Sequence, residues 1–362
     1  MLQAIAPRQV LRGPAAWHQA LPLLQALLQR PLVLGRSAAT AELRTGLQNE
    51  LAVAGLQPTG AQLRFDCCEE DLAVLQAIAR EQLVDGVIAI GGGKVLDAGK
   101  LLADRLDLPC VTVPTSAATC AGWTALANLY SPQGAYRHDV ALRRCPELLV
   151  FDHGLVRQAP ARTLASGIAD AMAKWYEASV ASGGSGDGLV QQAVQMARVL
   201  RDQLLLEAVA ALADPASEAW VRVAEGCALS AGVIGGIGGA RCRTVAAHAV
   251  HNGLTQLQAS RARLHGEKVG FGILVQLRLE ELRTGSGLAG QARRQLVPLF
   301  RQLGLPVGLE DLGLADASLR ELELVARFAC RPGSDLHQLP FSVSVPELLA
   351  ALVSTTAELQ PI

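Results

Sequence analysis

The chain has 362 residues, a hydrophobic fraction of 50% and a formal net charge of −1 at pH 7. That length predicts about two domains, and the near-neutral charge without a basic block argues against nucleic acid as the main partner. No uninterrupted apolar run reaches the roughly 18 residues of a membrane span, and the N-terminus lacks a secretory pattern. The 8 cysteines form no CxxC pair. We therefore expect reduced thiols in a cytoplasmic protein that needs no membrane.

Short apolar runs alternate with helical patterns in the first part of the chain. The predicted strands lie at 30–35, 61–67, 85–90, 109–115 and 146–152, the predicted helices at 38–54, 69–82 and 94–106, and a predicted hairpin turns at 132–134. This alternation predicts a parallel sheet with helices on both faces. We assign this α/β domain to residues 1–155.

Beyond about residue 155, helical periodicity replaces the strand signals. The predicted helices lie at 161–181, 188–213, 216–235, 243–257, 266–283, 288–303, 316–331 and 345–358. The pattern predicts an all-helical second domain over residues 156–362, with a site between the two domains.

Three glycines follow the third predicted strand and open the next helix, in the motif GGGKVLDAGK (91–100). Phosphate oxygens can approach the backbone of such a turn, and the helix N-terminus offers free N–H groups and a positive dipole end. A simple tight turn is the alternative, because the motif is neither GxGxxG nor a Walker loop. The segment PTSAAT (114–119) follows the next strand, so Thr115, Ser116 and Thr119 would reach the same sheet edge.

Asp170 lies in the apolar helical pattern GIADAMAKWYEA (167–178). A carboxylate among apolar neighbours is costly to bury unless it is paired or binds a metal. Exposure on a polar helix face beside Lys174 is the alternative.

The stretch RTVAAHAVHNGLTQLQASRARLHGEKVGFG (243–272) contains three of the 7 histidines. His248 and His251 are three residues apart and would share one helix face, and His265 opens the following helical pattern. Two imidazoles and one carboxylate form a divalent metal site that keeps a position open for catalysis. Buried structural histidines are the alternative.

Five motifs, in this order, resemble the iron-containing alcohol dehydrogenase superfamily, and within it the glycerol dehydrogenase branch: GGGKVLDAGK, PTSAATCAGWTAL, GIADAMAKWYEA, HAVHNGL and HGEKVGFGILVQL. The resemblance covers almost the whole chain. It implies a Rossmann-like dinucleotide domain followed by a helical domain, in a dehydroquinate synthase-like architecture. It also implies one divalent metal in the cleft, with zinc the first choice and Fe2+ or Ni2+ as alternatives.

The same resemblance assigns roles to individual residues. The implied metal ligands are Asp170, His248 and His265. The implied cofactor contacts are Gly92, Gly93, Lys94, Asp97, Thr115, Ser116, Thr124 and Leu126, the last two near the nicotinamide.

Two positions depart from the glycerol dehydrogenase pattern at the predicted substrate site. Cys120 stands where those enzymes carry a polyol-binding Asp, and Trp123 adds bulk where a small residue is usual. A thiol cannot accept hydrogen bonds from two neighbouring hydroxyls as a carboxylate does. Together with RPGSDLHQLP (331–340), this resembles the hydroxycarboxylate dehydrogenase A type and predicts a small 2-oxo acid or 2-hydroxy acid as substrate, such as 2-oxobutanoate or 2-oxoglutarate.

A further departure concerns the cofactor. Relatives that prefer NAD place an acidic residue directly after the strand that corresponds to residues 30–35, whereas this chain has Arg36 and Ser37 there. A guanidinium and a hydroxyl suit the 2′-phosphate of NADP(H), so we predict NADP(H) over NAD(H). An ordinary solvated Arg36 is the alternative.

The predicted reaction is metal-assisted reduction of the 2-oxo group by NADPH. His251 or a water would supply the proton, although a purely structural His251 is an open alternative. Arg243 is the candidate anchor for the substrate carboxylate, with a surface ion pair as its alternative. We also expect a homo-oligomer.

Other functions fit the same scaffold. NAD-dependent glycerol dehydrogenase is the first alternative. An sn-glycerol-1-phosphate dehydrogenase or a dehydroquinate synthase would need a cluster of cations beside the ligands, and only Lys174 and Lys268 stand out there. A non-catalytic nucleotide-binding homologue is disfavoured by the intact ligand positions and glycine turn.

Overall fold

A computed structural model describes residues 3–357, and this part of the chain divides after Pro160 into two compact units. The elements of the first unit are β1 (Gln9–Gly13), α1 (Ala16–Leu27), β2 (Pro31–Gly35), α2 (Ala41–Val53), β3 (Thr59–Gln62), α3 (Glu69–Glu81), β4 (Gly86–Gly91), α4 (Gly93–Leu106), β5 (Cys110–Pro114), β6 (Leu126–Tyr130), β7 (Tyr136–Ala141), β8 (Leu148–Asp152) and α5 (His153–Arg157). The short helix α5 belongs to the first unit. The boundary between the units therefore lies a few residues after position 155, where the sequence analysis placed it.

Six strands form one parallel sheet in the order β1-β8-β5-β4-β2-β3, and β6 and β7 form a separate antiparallel hairpin. Successive side chains of a strand point to opposite faces. Leu32 and Leu34 of β2 accordingly pack with α3 and α4, whereas Val33 packs with α1 and α2. The parallel sheet with helices on both faces and the hairpin are both confirmed, and burial of both faces explains why the strands read as unbroken apolar runs.

The predicted strand at 61–67 is wrong over most of its length, because β3 ends at Gln62. The backbone N–H groups of Arg64 and Phe65 donate to the Asp71 carboxylate, both at 2.8 Å. Those groups are therefore taken by a side chain rather than by a neighbouring strand. The elements β1 and α1 have no counterpart among the predicted ones.

Helices make up the second unit, as the periodicity predicts. Its α-helices are α6 (Ala161–Ser182), α7 (Gly188–Ala213), α8 (Glu218–Glu225), α9 (Ala231–Gly238), α10 (Ala246–Leu254), α11 (His265–Thr284), α12 (Gly287–Gln302), α13 (Leu319–Ala329) and α14 (Val345–Val353). A π-helical turn, Gly226–Ser230, joins α8 to α9. Shorter 3-10 segments lie at Ala38–Thr40 in the first unit and at Ala240–Cys242, Gln258–Ala262, Glu310–Leu312 and Asp335–Gln338 in the second.

The run Glu218–Gly238 is, among residues 3–357, the one helical stretch long and apolar enough to cross a membrane. Of its apolar window, 61% is buried inside the unit. That burial is typical of a core helix in a soluble protein.

Candidate functional site

Three helices of the second unit approach one another closely because α11 carries glycines at the contacts. A Cβ on Gly266 would lie 1.8 Å from the Ser166 carbonyl oxygen of α6, and one on Gly272 would lie 2.3 Å from the Ala247 carbonyl oxygen of α10. Only glycine permits backbone contact of this kind. The close approach brings side chains of α6, α10 and α11 together at one point.

Asp170, His248 and His265 meet at that point. The Nε2 atom of His265 lies 3.2 Å from Asp170 Oδ1, and the Nε2 atom of His248 lies 3.4 Å from the same oxygen. Ligand atoms around a tetrahedral Zn2+ are about 3.3 Å apart, given bond lengths near 2.0–2.1 Å. The three ligand atoms, all within 4.8 Å of one another, thus fit one divalent cation. They form the one His/Cys/Asp/Glu cluster with metal-binding geometry in the described part of the chain.

The charges in this cluster depend on competition between burial and neighbours. Burial by itself raises the pKa of the Asp170 carboxyl, but His265, Lys174 and His248 together hold that pKa well below its ordinary value. Burial would lower the pKa of His248, yet Glu177 and Asp170 raise it to about 9. Burial lowers the pKa of His265, against the opposing effect of Asp170. Asp170 is therefore ionised, the state in which a carboxylate can bind a metal.

A second group of predicted residues meets at the carboxyl edge of the parallel sheet. The Thr115 N–H donates to the Gly91 carbonyl at 3.1 Å. A Cβ on Gly93 would lie 2.9 Å from the Thr119 hydroxyl, and one on Gly92 would lie 3.9 Å from the Ser116 hydroxyl. The glycine turn and the Ser/Thr segment thus line one edge, and α4 begins there without a side-chain cap, as at helix N-termini that bind phosphate.

Comparison with known proteins decides the family. The profile of the iron-containing alcohol dehydrogenase family matches residues 7–153. Glycerol dehydrogenase of Pseudomonas putida is 31% identical over 353 residues, which cover 96% of this chain and 95% of that protein. The chain belongs to the iron-containing alcohol dehydrogenase family. It is accordingly an oxidoreductase that acts on CH–OH groups, and members of this family bind a divalent metal and NAD(P).

Three further similarities place this iron-containing alcohol dehydrogenase among its relatives. An uncharacterised oxidoreductase of Synechocystis, slr1167, is 53% identical over 99% of this chain and 92% of its own length. Hydroxycarboxylate dehydrogenase A of Escherichia coli K12 is 35% identical over 80% of this chain and 79% of its own. The crystal structure of a probable glycerol dehydrogenase from Sinorhizobium meliloti superposes with a TM-score of 0.84 at 29% identity and covers 99% of both chains.

Arg36 and Lys94 of this family member both reach the buried carboxylate of Asp66. The Arg36 guanidinium lies 2.6 Å from Asp66 Oδ1, and the Lys94 ammonium contacts Asp66 Oδ2. Ser37 caps the following 3-10 turn by accepting from the Ala39 N–H. The two predicted phosphate-binding cations thus share one acidic partner that the sequence did not single out.

Asp97, Thr124 and Leu126 are joined through the buried ammonium of Lys100. Lys100 Nζ lies 3.0 Å from Asp97 Oδ1 and donates to the carbonyl oxygens of Thr124 (3.0 Å) and Leu126. Asp97 also accepts from the Asn128 N–H at 3.2 Å. The Asp97 side chain therefore ties α4 to the start of the hairpin.

The predicted substrate residues lie in both units. Cys120 is a half-buried thiol, and Trp123 is buried with its indole N–H donating to the Ile5 carbonyl at 3.1 Å. Arg243 lies with its aliphatic stem against Gly235 of α9. Its carbonyl accepts from Lys174 at 3.4 Å.

Two residues that contact these histidines were not predicted from the sequence. The Glu177 carboxylate lies 2.6 Å from Nδ1 of His248. The side-chain Oδ1 atom of Asn252 lies 2.9 Å from Nδ1 of His251, which is outside the cluster of Asp170, His248 and His265. His251 in turn places its Nε2 atom 3.0 Å from His265 Nδ1. One signal for Glu177 was available, because it follows Asp170 by two helical turns on the same face.

Proposed function

We propose that the protein is a metal-dependent, nicotinamide-linked dehydrogenase of small polyols, with glycerol as the reference substrate. The observation that carries the proposal is the cluster of Asp170, His248 and His265, whose spacing suits one divalent ion. Support comes from the similarity over nearly the whole chain to proteins named glycerol dehydrogenases.

The chain supplies the ion with one anionic and two neutral ligands and leaves a coordination position for a hydroxyl. When bound, the ion would polarise the reacting oxygen and the nicotinamide would exchange the hydride. Both ring nitrogens of His251 are engaged, with His265 and Asn252. Burial and the neighbouring His265 lower its pKa well below the ordinary value, so His251 is neutral. We therefore assign it to orienting His265 and leave proton transfer to water.

Reduction of small 2-oxo acids is the second candidate, because Cys120 replaces the expected carboxylate and admits an anionic substrate. The 35% identity to hydroxycarboxylate dehydrogenase A supports it. Arg243 is its proposed carboxylate anchor, and Trp123 limits the space beside Cys120.

For the cofactor we propose NADP(H) over NAD(H). Arg36 follows β2, and neither it nor Ser37 offers the acidic group that would bind ribose hydroxyls and repel a 2′-phosphate. Arg36 already pairs with Asp66, so the 2′-phosphate of NADP(H) would share the Arg36 guanidinium with that carboxylate. We therefore expect a moderate preference for NADP(H) over NAD(H). We further propose zinc as the ion and a cytoplasmic homo-oligomer that acts on small molecules. The eight cysteines, all within residues 3–357, form no disulfide, which suits a reducing compartment.

The test is a measurement of kcat/KM on zinc-loaded protein. Glycerol and 1,2-propanediol are assayed with NAD+ and NADP+, and 2-oxobutanoate and 2-oxoglutarate with NADH and NADPH. The proposal expects the diols to be turned over and chelator-treated protein to be inactive until zinc is restored. Turnover of the 2-oxo acids alone would transfer the assignment to the second candidate. Full activity without any metal would refute both.

A further inference from the structure

Glu177 is a fully buried carboxylate that accepts three hydrogen bonds from the segment carrying one metal ligand. Its Oε2 atom lies 2.6 Å from His248 Nδ1. Its Oε1 atom accepts from the backbone N–H groups of Val245 at 2.6 Å and His248 at 3.0 Å. One side chain of α6 thus holds both the ring and the backbone of a residue 71 positions later.

The first turn of α10 depends on this contact because the helix has no cap of its own. Val245 is the N-cap residue, and its side chain makes no cap hydrogen bond. In a capping box, the N-cap and N3 side chains of one helix satisfy each other's backbone N–H groups. Here the N-cap is Val245 and N3 is His248, and the carboxylate of α6 serves both N–H groups. The Ala247 N–H between them donates to Gln276 of α11 at 3.3 Å.

We infer that Glu177 is a positioning residue that sets the metal affinity of the site. By accepting from Nδ1–H of His248 it leaves Nε2, on the side that faces Asp170, as the nitrogen that gives up its proton to a bound ion. A carboxylate behind an imidazole ligand also makes that imidazole a stronger donor to the metal. The inference rests on the proposed metal site and adds a residue that would not touch the ion.

A carboxylate suits this position and an amide does not. Each oxygen of Glu177 has its own partners, since Oε1 accepts from the backbone N–H groups of Val245 and His248 and Oε2 faces the His248 ring. Glutamine has a single carbonyl oxygen and two N–H donors. In Glu177→Gln the single carbonyl oxygen can therefore accept either from the backbone N–H groups of α10 or from the imidazole N–H. The amide NH2 group then faces the other of these two, where a donor meets a donor.

The other imidazole has a different support, which makes Glu177 specific to one ligand. His265 Nδ1 lies 3.0 Å from His251 Nε2, and His251 is backed by the neutral amide of Asn252. The ion would thus have one ligand with an anionic partner and one with a neutral partner. His265 cannot compensate for the loss of the Glu177 charge, because its own hydrogen bonds lead to His251 and Asn252 and not to Glu177.

The experiment measures the dissociation constant of cobalt(II) and of zinc against a competing chelator for the full-length protein. The variants are Glu177→Gln, Glu177→Ala, the ligand variant His248→Ala and the control Asp311→Asn. Asp311 is a part-buried carboxylate of the same unit that accepts from the backbone N–H groups of Val307 at 2.9 Å and Gly308 at 3.0 Å, so its variant makes the same acid-to-amide change at another backbone-binding carboxylate. Thermal unfolding of the metal-free proteins is recorded in parallel.

We expect Glu177→Gln to weaken metal binding by about ten- to a hundredfold and to change the absorption bands of bound cobalt. Glu177→Ala should add a larger fall in the Tm of the metal-free protein, because both backbone N–H groups lose their acceptor. Should the alanine variant fail to fold, the glutamine variant alone decides.

Wild-type affinity and an unchanged cobalt spectrum in Glu177→Gln, with binding abolished in His248→Ala, would overturn the inference and leave the metal site intact. Equal losses in Glu177→Gln and Asp311→Asn would also overturn it, since a general charge effect would explain both. Unchanged binding in His248→Ala would instead refute the metal site of the proposed function.

Discussion

Gly266→Ala tests whether backbone contact between α6 and α11 builds the metal site. Gly266 is the second residue of α11, directly after the ligand His265. The added Cβ would lie 1.8 Å from the Ser166 carbonyl oxygen and 2.6 Å from its carbonyl carbon. Since these are backbone atoms and not the end of a flexible side chain, the two helices must separate by roughly an ångström to relieve the clash.

Two effects of opposite sign determine the magnitude. Alanine favours a helix over glycine by about 0.8–1.0 kcal/mol, and overpacking of a buried contact costs about 1–3 kcal/mol, occasionally more. A clash with rigid backbone belongs at the upper end of that range, so we expect a net loss of about 1–2 kcal/mol in the free energy of unfolding. A shift of this size also exceeds the roughly 0.2 Å tolerance of metal–ligand bonds, so metal affinity should fall at least about tenfold.

Denaturant unfolding of the metal-free protein and a chelator-competition titration measure the two effects separately. Gly287→Ala is the control, because a Cβ at the start of α12 meets nothing within 4 Å. The control should match or slightly exceed the wild type in stability and bind metal normally. If Gly266→Ala is as stable as its control and keeps its metal affinity, the helices do not need the close approach and the argument fails.

Three other changes test separate parts of the site. First, metal affinity should rise about tenfold per pH unit from pH 7 towards 9. The reason is that the ion displaces a proton from His248, whose pKa in the metal-free protein is raised to about 9. Zinc titrations at several pH values measure this, and an affinity that does not change with pH would contradict it. In the metal-free protein the same shift stabilises the fold fully below pH 6.5, and this contribution is lost as the pH rises through about 9. Arg36→Asp should weaken NADPH binding about tenfold or more while sparing NADH, measured by fluorescence titration, since it replaces an attraction for the 2′-phosphate by a repulsion; equal losses for both cofactors would point to damaged packing. Cys120→Asp should raise kcat/KM for glycerol relative to 2-oxobutanoate about tenfold or more, because it adds an acceptor for hydroxyls and repels a carboxylate; an unchanged ratio would remove Cys120 from the substrate site.

Local patterns in the sequence predicted most of the architecture, with β1 and α1 as the exceptions. Apolar runs predicted the parallel sheet, and helical periodicity predicted α6, α7 and α11 to within two residues of their observed ends. These signals are reliable because burial of a strand or a helix face constrains residues that are close in sequence. The predicted metal ligands Asp170, His248 and His265 stood out for a similar reason, as ionisable residues placed among apolar neighbours.

Tertiary structure decided which groups support those ligands. Glu177 looks like any helix glutamate until α10 is folded against α6, and the need for glycine at 266 appears only when Ser166 lies beneath it. Likewise, the strand predicted through residue 67 ended at Gln62, and the N–H groups of Arg64 and Phe65 donate to Asp71 instead of to a neighbouring strand. Hydrogen bonds between a side chain and a distant backbone group join residues up to 135 positions apart and leave no periodic pattern in the chain. The sequence by itself therefore determined most of the helices, the parallel character of the sheet and the choice of Asp170, His248 and His265 as candidate ligands. The packing of α6, α10 and α11 decided how these three side chains are held.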